Sequence, residues 1–282
     1  MLWLNGTFLN ENDAHISVSD RGFLLGDGVF ETMRATNGHV GWLSFHLQRI
    51  SQSIDVLGGF PVKIPSEATL AKVISTLCQG FEKRHAVIRL TVSRGQGGQG
   101  LLAIGASGST VLITAKPIDL DAGCGPLELA ISKQVRRNPW SVASRMKSLN
   151  YLDNIVARKE AADAGAEDCL ILTQDGHVGE TTIANVFAML KGRLYTAPKE
   201  SGIFAGLSRA CVIDWAQSNH ISLCYDPVTI EQLKTTDCVF VCNALRGVRV
   251  VSSVGDYMLN QTQSGLKLIT KLSQHLENSI GR

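Results

Sequence analysis

Short apolar runs broken by Asn-Gly pairs open the chain. Leu2 to Leu4, Asn5-Gly6 and Thr7 to Leu9 predict a hairpin; Val29 to Ala35, Asn37-Gly38 and Val40 to Trp42 predict a second. The period then lengthens. Leu43, Leu47, Ile50, Ile54 and Leu57 recur at helical spacing until Gly58-Gly59, and Pro65-Ser66 introduces a second helix with Leu70, Val73, Ile74 and Leu77 on its apolar side. Ala86 to Val92 and Thr110 to Ala115 read as strands. This first half is α+β, with mostly antiparallel connections.

The stretch from Lys116 to Pro126 mixes Pro, Gly and Asp without periodicity and predicts a linker. The expected organisation is an N-terminal α+β domain over residues 1–116, a linker over 117–126 and a C-terminal domain over 127–282. In that second domain Leu127 to Ile131 reads as a strand, Arg136 to Ser148 as a polar loop, and Asn150 to Ala164 as a helix. Cys169 to Thr173, Asp175-Gly176 and Val186 to Leu190 read as a hairpin. Leu207 to Ser218 and Leu266 to Leu276 read as helices, with strands at Val239 to Val241 and Val248 to Val251 between them.

Composition narrows the classes. Hydrophobic residues make up 44% of the 282 positions and charged residues 18%, ordinary for a folded domain. A net charge of +2 supplies no basic stripe, which argues against nucleic acid as a partner. No apolar run approaches the ~20 residues of a membrane helix, and the start lacks the pattern of a secretory signal. The seven cysteines, Cys78, Cys124, Cys169, Cys211, Cys224, Cys238 and Cys242, form no C-x-x-C pair, so no metal site is expected. Cys238 and Cys242 read as small core residues. A reduced, cytoplasmic protein is the expectation.

A few polar residues stand out against this background. Lys147 lies just before a predicted helix with Arg145 two positions away, and partial burial beside a cation favours loss of an ammonium proton. Alone, such a lysine is a solvated surface group. Gly202 to Arg209 runs from a glycine-rich turn into a helix, whose free N–H groups suit a phosphate; a plain N-terminal loop is the alternative. Arg49, between Leu47 and Ile50, can reach a buried anion bidentately or snorkel to water. Glu180 is a carboxylate able to face a heteroaromatic nitrogen, or a hairpin-edge group in water. Arg94 begins a glycine-rich loop, Arg94 to Gly100, at a strand end. No clear helix follows it, so a dinucleotide loop is not supported, and a carboxylate is the better match.

Taken together, these segments resemble the fold-type IV enzymes that use pyridoxal 5'-phosphate (PLP), the family of branched-chain and D-amino acid aminotransferases and aminodeoxychorismate lyases. The resemblance rests on five stretches in order: Asp20 to Gly22 through Gly26 to Glu31, His46 to Arg49, Met146 to Leu152 with Asn154 and Ala157, Gly179-Glu180 with Asn185, and Gly206 to Arg209. It implies a two-domain fold with PLP in the cleft between domains, and a homodimer. It also implies that Lys147 binds the cofactor covalently and moves the proton, while Glu180 pairs with the pyridine nitrogen. Arg49, the N–H groups of Leu207 and Ser208, and the Asn243-Ala244 turn would hold the phosphate. Tyr151 would lie near the ring's 3-hydroxyl, although branched-chain enzymes have one more residue between lysine and tyrosine.

Three segments resemble the lyase in particular: Ser93 to Gly100, Val241 to Leu245, and Arg137-Asn138-Pro139. By contrast, Lys147 to Leu152 is shared with D-amino acid aminotransferases. The expected reaction converts 4-amino-4-deoxychorismate to 4-aminobenzoate, a folate precursor, and pyruvate. Arg94 would bind a substrate carboxylate and Thr32 would relay a proton. The alternative is a D-amino acid or branched-chain aminotransferase of the same fold.

Overall fold

The computed structural model describes residues 1–97, 100–123 and 125–280. Within them the chain forms two compact units. The first holds Met1–Leu120, Lys147–Asn150 and the last two described residues, Ser279 and Ile280; the second holds Asp121–Met146 and Tyr151–Asn278. The break falls between Leu120 and Asp121, and the lysine segment belongs to the first unit although its chain neighbours belong to the second.

The first unit is built on six strands, β1 (Leu2–Leu4), β2 (Thr7–Leu9), β3 (Gly28–Thr36), β4 (His39–Val40), β5 (His85–Ser93) and β6 (Thr110–Ile118), in the order β2-β1-β6-β5-β3-β4. All pairings are antiparallel. Three helices accompany them: α1 (Arg21–Leu25), α2 (Leu43–Val56) and α3 (Glu67–Leu77). Strand β5 shows the expected alternation, with Ala86, Ile88, Leu90 and Val92 buried between more exposed neighbours. Leu43, Ile50 and Ile54 bury the stripe of α2, while Leu70, Val73, Ile74 and Leu77 bury that of α3. The side chain of Ser66 accepts from the Thr69 N–H and caps α3.

The second unit contains β7 (Leu127–Arg137), α4 (Leu152–Asp163), β8 (Asp168–Thr173), β9 (Val178–Thr181), β10 (Asn185–Leu190), β11 (Arg193–Tyr195), α5 (Leu207–Ser218), β12 (Ser222–Cys224), α6 (Ile230–Leu233), β13 (Cys238–Asn243), β14 (Gly247–Val254), β15 (Tyr257–Met258) and α7 (Gln263–Ile280), the last entering the first unit at its end. The strand order is β12-β11-β10-β13-β14-β7-β8-β9. A further pairing of Asn185 with Glu180 joins β9 back to β10, so six strands make a closed circuit. Leu129, Leu170, Val186, Val239 and Val251 are among the buried side chains of its core.

Two sequence expectations change here. The loop expected from Arg136 begins later, because β7 runs on through Arg137. The expected hairpin of Cys169 to Thr173 with Val186 to Leu190 lacks its real partner: β8 turns at Asp175-Gly176 into β9. Strand β9 has all four residues buried and no alternation, so periodicity does not announce it. Cys238 and Cys242 are buried, as their apolar surroundings suggested; Cys124, Gly98 and Gln99 lie outside the described residues. No described helix is long and apolar enough to cross a membrane.

Candidate active site

Lys147 is held beside the start of β3 by a single backbone bridge and its flanking hydrogen bonds. Its carbonyl accepts from the Phe30 N–H at 2.8 Å, Leu149 N–H donates to Gly28 O at 2.9 Å, and Ser148 bridges Val29. Gly28 is needed for this approach, since a Cβ there would lie 2.5 Å from Val92 O and 2.8 Å from Leu149 Cδ1. Asn150 Nδ2 donates to Gly26 O and secures the far end of the segment. The Lys147 ammonium lies 4.8 Å from the centre of the Phe30 ring, and the Arg89 guanidinium lies 3.8 Å from the same ring. Thr32 stands directly opposite Arg89 and two residues from Phe30, so strand geometry gives these side chains one face.

Glu31, between Phe30 and Thr32, turns to the other face. It is 1% exposed and accepts from Arg49 twice, Nε at 2.7 Å and Nη2 at 2.6 Å, and from His46 Nδ1 at 2.8 Å. Burial alone would raise its pKa, but the hydrogen bonds from His46 and Arg49 outweigh it and hold the carboxyl down at about 2. His46 is pushed below its ordinary value, first by burial and then by Arg49 and Lys147, against the pull of Glu31. Arg49 is therefore aimed by a buried carboxylate rather than left to snorkel.

Arg94 takes a different role from the expected one. Its Nε donates to Asp27 Oδ2 at 2.9 Å, Nη1 to Gly59 O at 3.2 Å and Nη2 to Leu57 O at 2.7 Å, and it stacks 4.6 Å from the Phe60 ring centre. The carboxylate it meets is the protein's own. Asp27 also takes Arg21 Nε at 2.8 Å; against its partial burial, these two arginines hold it below the usual carboxylate range.

In the second unit the closing pair of β9 and β10 carries the polar cluster. Glu180, 4% exposed, accepts from Phe204 N–H through Oε1 and from Asn185 Nδ2 through Oε2, each at 3.1 Å. Arg137 Nε lies 2.8 Å from Glu180 Oε1, and its Nη1 donates to Asn154 Oδ1 at 3.1 Å. Asn185 also donates to Phe204 O and accepts from Gly206 N–H, tying the glycine turn to the strand. Helix α5 starts at Leu207 after Gly206, which supplies no side-chain cap. Ser208, its second residue, is 1% exposed, and its Oγ has no hydrogen-bond partner among the described residues. A buried hydroxyl without a partner is uncommon and asks for one. Asn243 ends β13 and accepts from the N–H groups of Leu245 and Arg246, forming the turn that contains Ala244. Tyr151 sits at the N-terminal boundary of α4, its carbonyl accepting from Ile155.

Sequence reading named Lys147, Arg49, Glu180 and Ser208 but missed Arg89, His46 as the partner of Glu31, and Arg137 as the partner of Glu180. Glu31 and Glu180 each lie in a run that the fold buries, and a buried glutamate needs a partner.

A family model described as amino-transferase class IV matches residues 28–254. A Methanocaldococcus jannaschii protein provisionally named a branched-chain-amino-acid aminotransferase is 34% identical, covering 98% of this chain and 95% of its own. The aminodeoxychorismate lyase of Bacillus subtilis is 30% identical over 87% of this chain and 83% of its own. The crystal structure of 4-amino-4-deoxychorismate lyase from Pseudomonas aeruginosa aligns over the whole of both chains at 25% identity with a TM-score of 0.82. Enzymes of this family use pyridoxal phosphate. The residues here fit that group: a lysine held by backbone pairing, a buried carboxylate with ordered donors, and an unpartnered hydroxyl in the first turn of a helix, where anions are favoured. The fold is that of the fold-type IV enzymes, and the chain belongs to the amino-transferase class IV family.

Proposed function

We propose that this protein is a PLP-dependent lyase that converts 4-amino-4-deoxychorismate to 4-aminobenzoate and pyruvate. The observation carrying this reading is the position of the Arg137-Asn138-Pro139 segment, one of the three that resemble the lyase. Arg137 lies on Glu180, and Asn138 packs so closely under Gly202 that a Cβ there would lie 2.6 Å from the Asn138 carbonyl carbon. With φ of +86° at Gly202, the glycine turn ahead of α5 is shaped by this segment.

When bound, PLP acts as an electron sink for the charge left at the carbon bearing the substrate nitrogen. Lys147 would hold it and would be the base that takes the proton from that carbon. Glu180, kept in place by Phe204, Asn185 and Arg137, would pair with the pyridine nitrogen, and Tyr151 would serve the 3-hydroxyl. Arg49, the Leu207 and Ser208 N–H groups, the Ser208 hydroxyl and the Asn243-Ala244 turn would hold the phosphate. Arg89 replaces Arg94 as the fork for a substrate carboxylate, because Arg94 is committed to Asp27 while Arg89 shares the Phe30 ring with Lys147. Thr32, opposite Arg89, relays the proton to the departing group. A homodimer is part of this reading, supported by the exposed apolar side chains of Val18, Phe23, Leu24, Leu101, Leu102 and Ile104.

The test is to supply aminodeoxychorismate to the PLP-loaded protein and follow 4-aminobenzoate fluorescence together with pyruvate. Equal release of both without a keto acid, lost in Lys147→Ala, supports the lyase. The 34% identity to the Methanocaldococcus jannaschii protein favours a second reading, an aminotransferase. Activity only when an amino acid and a keto acid are supplied together would establish that reading and end the first.

A further inference from the structure

Strand β7 departs from regular pairing just before the polar cluster. Ile131 stands opposite Leu170 of β8, yet the next aligned pair is Arg136 with Leu172, then Arg137 with Thr173. In unbroken register Gln134 would face Thr173. The bulge therefore draws Arg137 back by three residues, ~10 Å at the ~3.3 Å rise of a parallel strand. At this position its guanidinium lies 2.8 Å from Glu180.

Such a bulge removes the N–H groups of its extra residues from the ladder, and each must be satisfied elsewhere. One side chain does most of this. Glu160 of α4 accepts at Oε1 from the N–H groups of Lys133 (3.1 Å) and Gln134 (3.3 Å) and from Gln134 Nε2 (3.4 Å). Its Oε2 accepts from Ser132 Oγ at 2.5 Å, and that oxygen in turn accepts from Val135 N–H at 3.0 Å. Arg136 Nη1 donates to the carbonyls of Ser132 and Val135. Burial would raise the Glu160 carboxyl, but these donors outweigh it and hold it below the usual range. Ala157 and Ala161 of the same helix pack with Val135, Cys169 and Ile171, which fixes Glu160 over the bulge.

We propose that Glu160 is a positioning residue that clasps the β7 bulge and thereby sets Arg137 against Glu180. The inference rests on the reading of Glu180 as the partner of the pyridine nitrogen. Glu160 acts through backbone register and touches no substrate.

The experiment compares Glu160→Ala, Glu160→Gln, Arg137→Lys, Glu160→Ala with Arg137→Lys, and Glu180→Gln in the PLP-loaded protein. Ala162→Gly, at an exposed position, serves as a control that loosens the same helix without touching the clasp. The readouts are PLP affinity, the visible band of the lysine-bound cofactor with its pH midpoint, and melting temperature. Loss of the clasp is expected to weaken PLP binding about tenfold, the low end for an outer-layer partner by analogy with metal sites, and to shift the band. Glu160→Gln, which keeps the Oε1 acceptor, should recover most of the affinity. Ala162→Gly should lower the melting temperature with the band unmoved, and Glu160→Ala should add nothing to Arg137→Lys. A wild-type band in Glu160→Ala, or additive effects with Arg137→Lys, overturns the clasp alone if Glu180→Gln shifts the band. An unmoved band in Glu180→Gln overturns the reading of Glu180 and the clasp with it. Should Glu160→Ala fail to fold, Ser132→Ala severs one arm of the clasp and carries the same expectations.

Discussion

Replacing Glu31 by Gln isolates the charge that aims Arg49. The substitution keeps size and shape but leaves a guanidinium only 14% exposed without its anion. A carboxyl held at about 2 rather than its ordinary 4.5 prefers the ionised state by about 3 kcal/mol in the folded protein. Losing one partner of a buried pair typically costs about 3–5 kcal/mol, a consistent scale. Glu31→Gln should therefore be about 3 kcal/mol less stable at pH 7 in urea unfolding followed by tryptophan fluorescence. The pH dependence provides a second check. Because the folded value is depressed, the stabilisation is complete well above the unfolded value and disappears as pH falls towards the folded one. The gap between wild type and variant should thus stay constant from pH 8 to about 5 and be roughly halved near pH 3. A gap below about 1 kcal/mol at pH 7, or one that does not narrow in acid, would refute the assignment of Glu31 as a buried anion paired with Arg49.

Three other substitutions probe neighbouring claims. Ser208→Ala removes a buried hydroxyl that has no protein partner, so PLP affinity should drop several-fold in a spectroscopic titration while the cofactor-free melting temperature holds or rises. Arg94→Lys should lower stability by about 1–3 kcal/mol through lost bonds to Asp27, Leu57 and Gly59; a KM increase with unchanged melting temperature would restore it as a substrate residue. Gly202→Ala must accommodate a Cβ 2.6 Å from the Asn138 carbonyl carbon at φ of +86°, so a melting temperature within a degree of wild type would count against the tight seating of the Arg-Asn-Pro segment.

The helices α2 and α3 and the Asn-Gly hairpins could be read from spacing because the signal is local: a repeat of three to four residues, or a turn that needs positive φ. Lys147 and Ser208 were visible for a related reason, since each sits in a short segment whose composition already breaks with its surroundings. The positions of Arg94 and Arg137 were not visible in the same way. Arg94 was expected to meet a carboxylate and does, but Asp27 lies 67 residues earlier and reaches it only through the sheet. The polar run from Arg136 predicts a loop, but the position of Arg137 depends on extra residues inserted into β7, and no periodicity records a bulge. Arg89 escaped notice because strand alternation identifies the buried side and says nothing about which exposed residue faces Lys147.

One physical rule would have recovered part of this. Gly28, Val29, Phe30 and Glu31 are all buried, as are Val178, Gly179, Glu180 and Thr181. A glutamate inside a buried run is almost never without a partner. Each buried run therefore demands a partner from elsewhere in the chain. The demand is met by Arg49 from a helix in one unit and by Arg137 from a bulged strand in the other. The rule cannot say which arginine answers, because that depends on closure of long-range pairings such as Asn185 with Glu180. It does identify both carboxylates as sites where the chain has placed a charge that hydrophobic packing alone would reject, and each is met by hydrogen-bond donors from other elements, Glu31 by His46 and Arg49 and Glu180 by Asn185 and the Phe204 N–H.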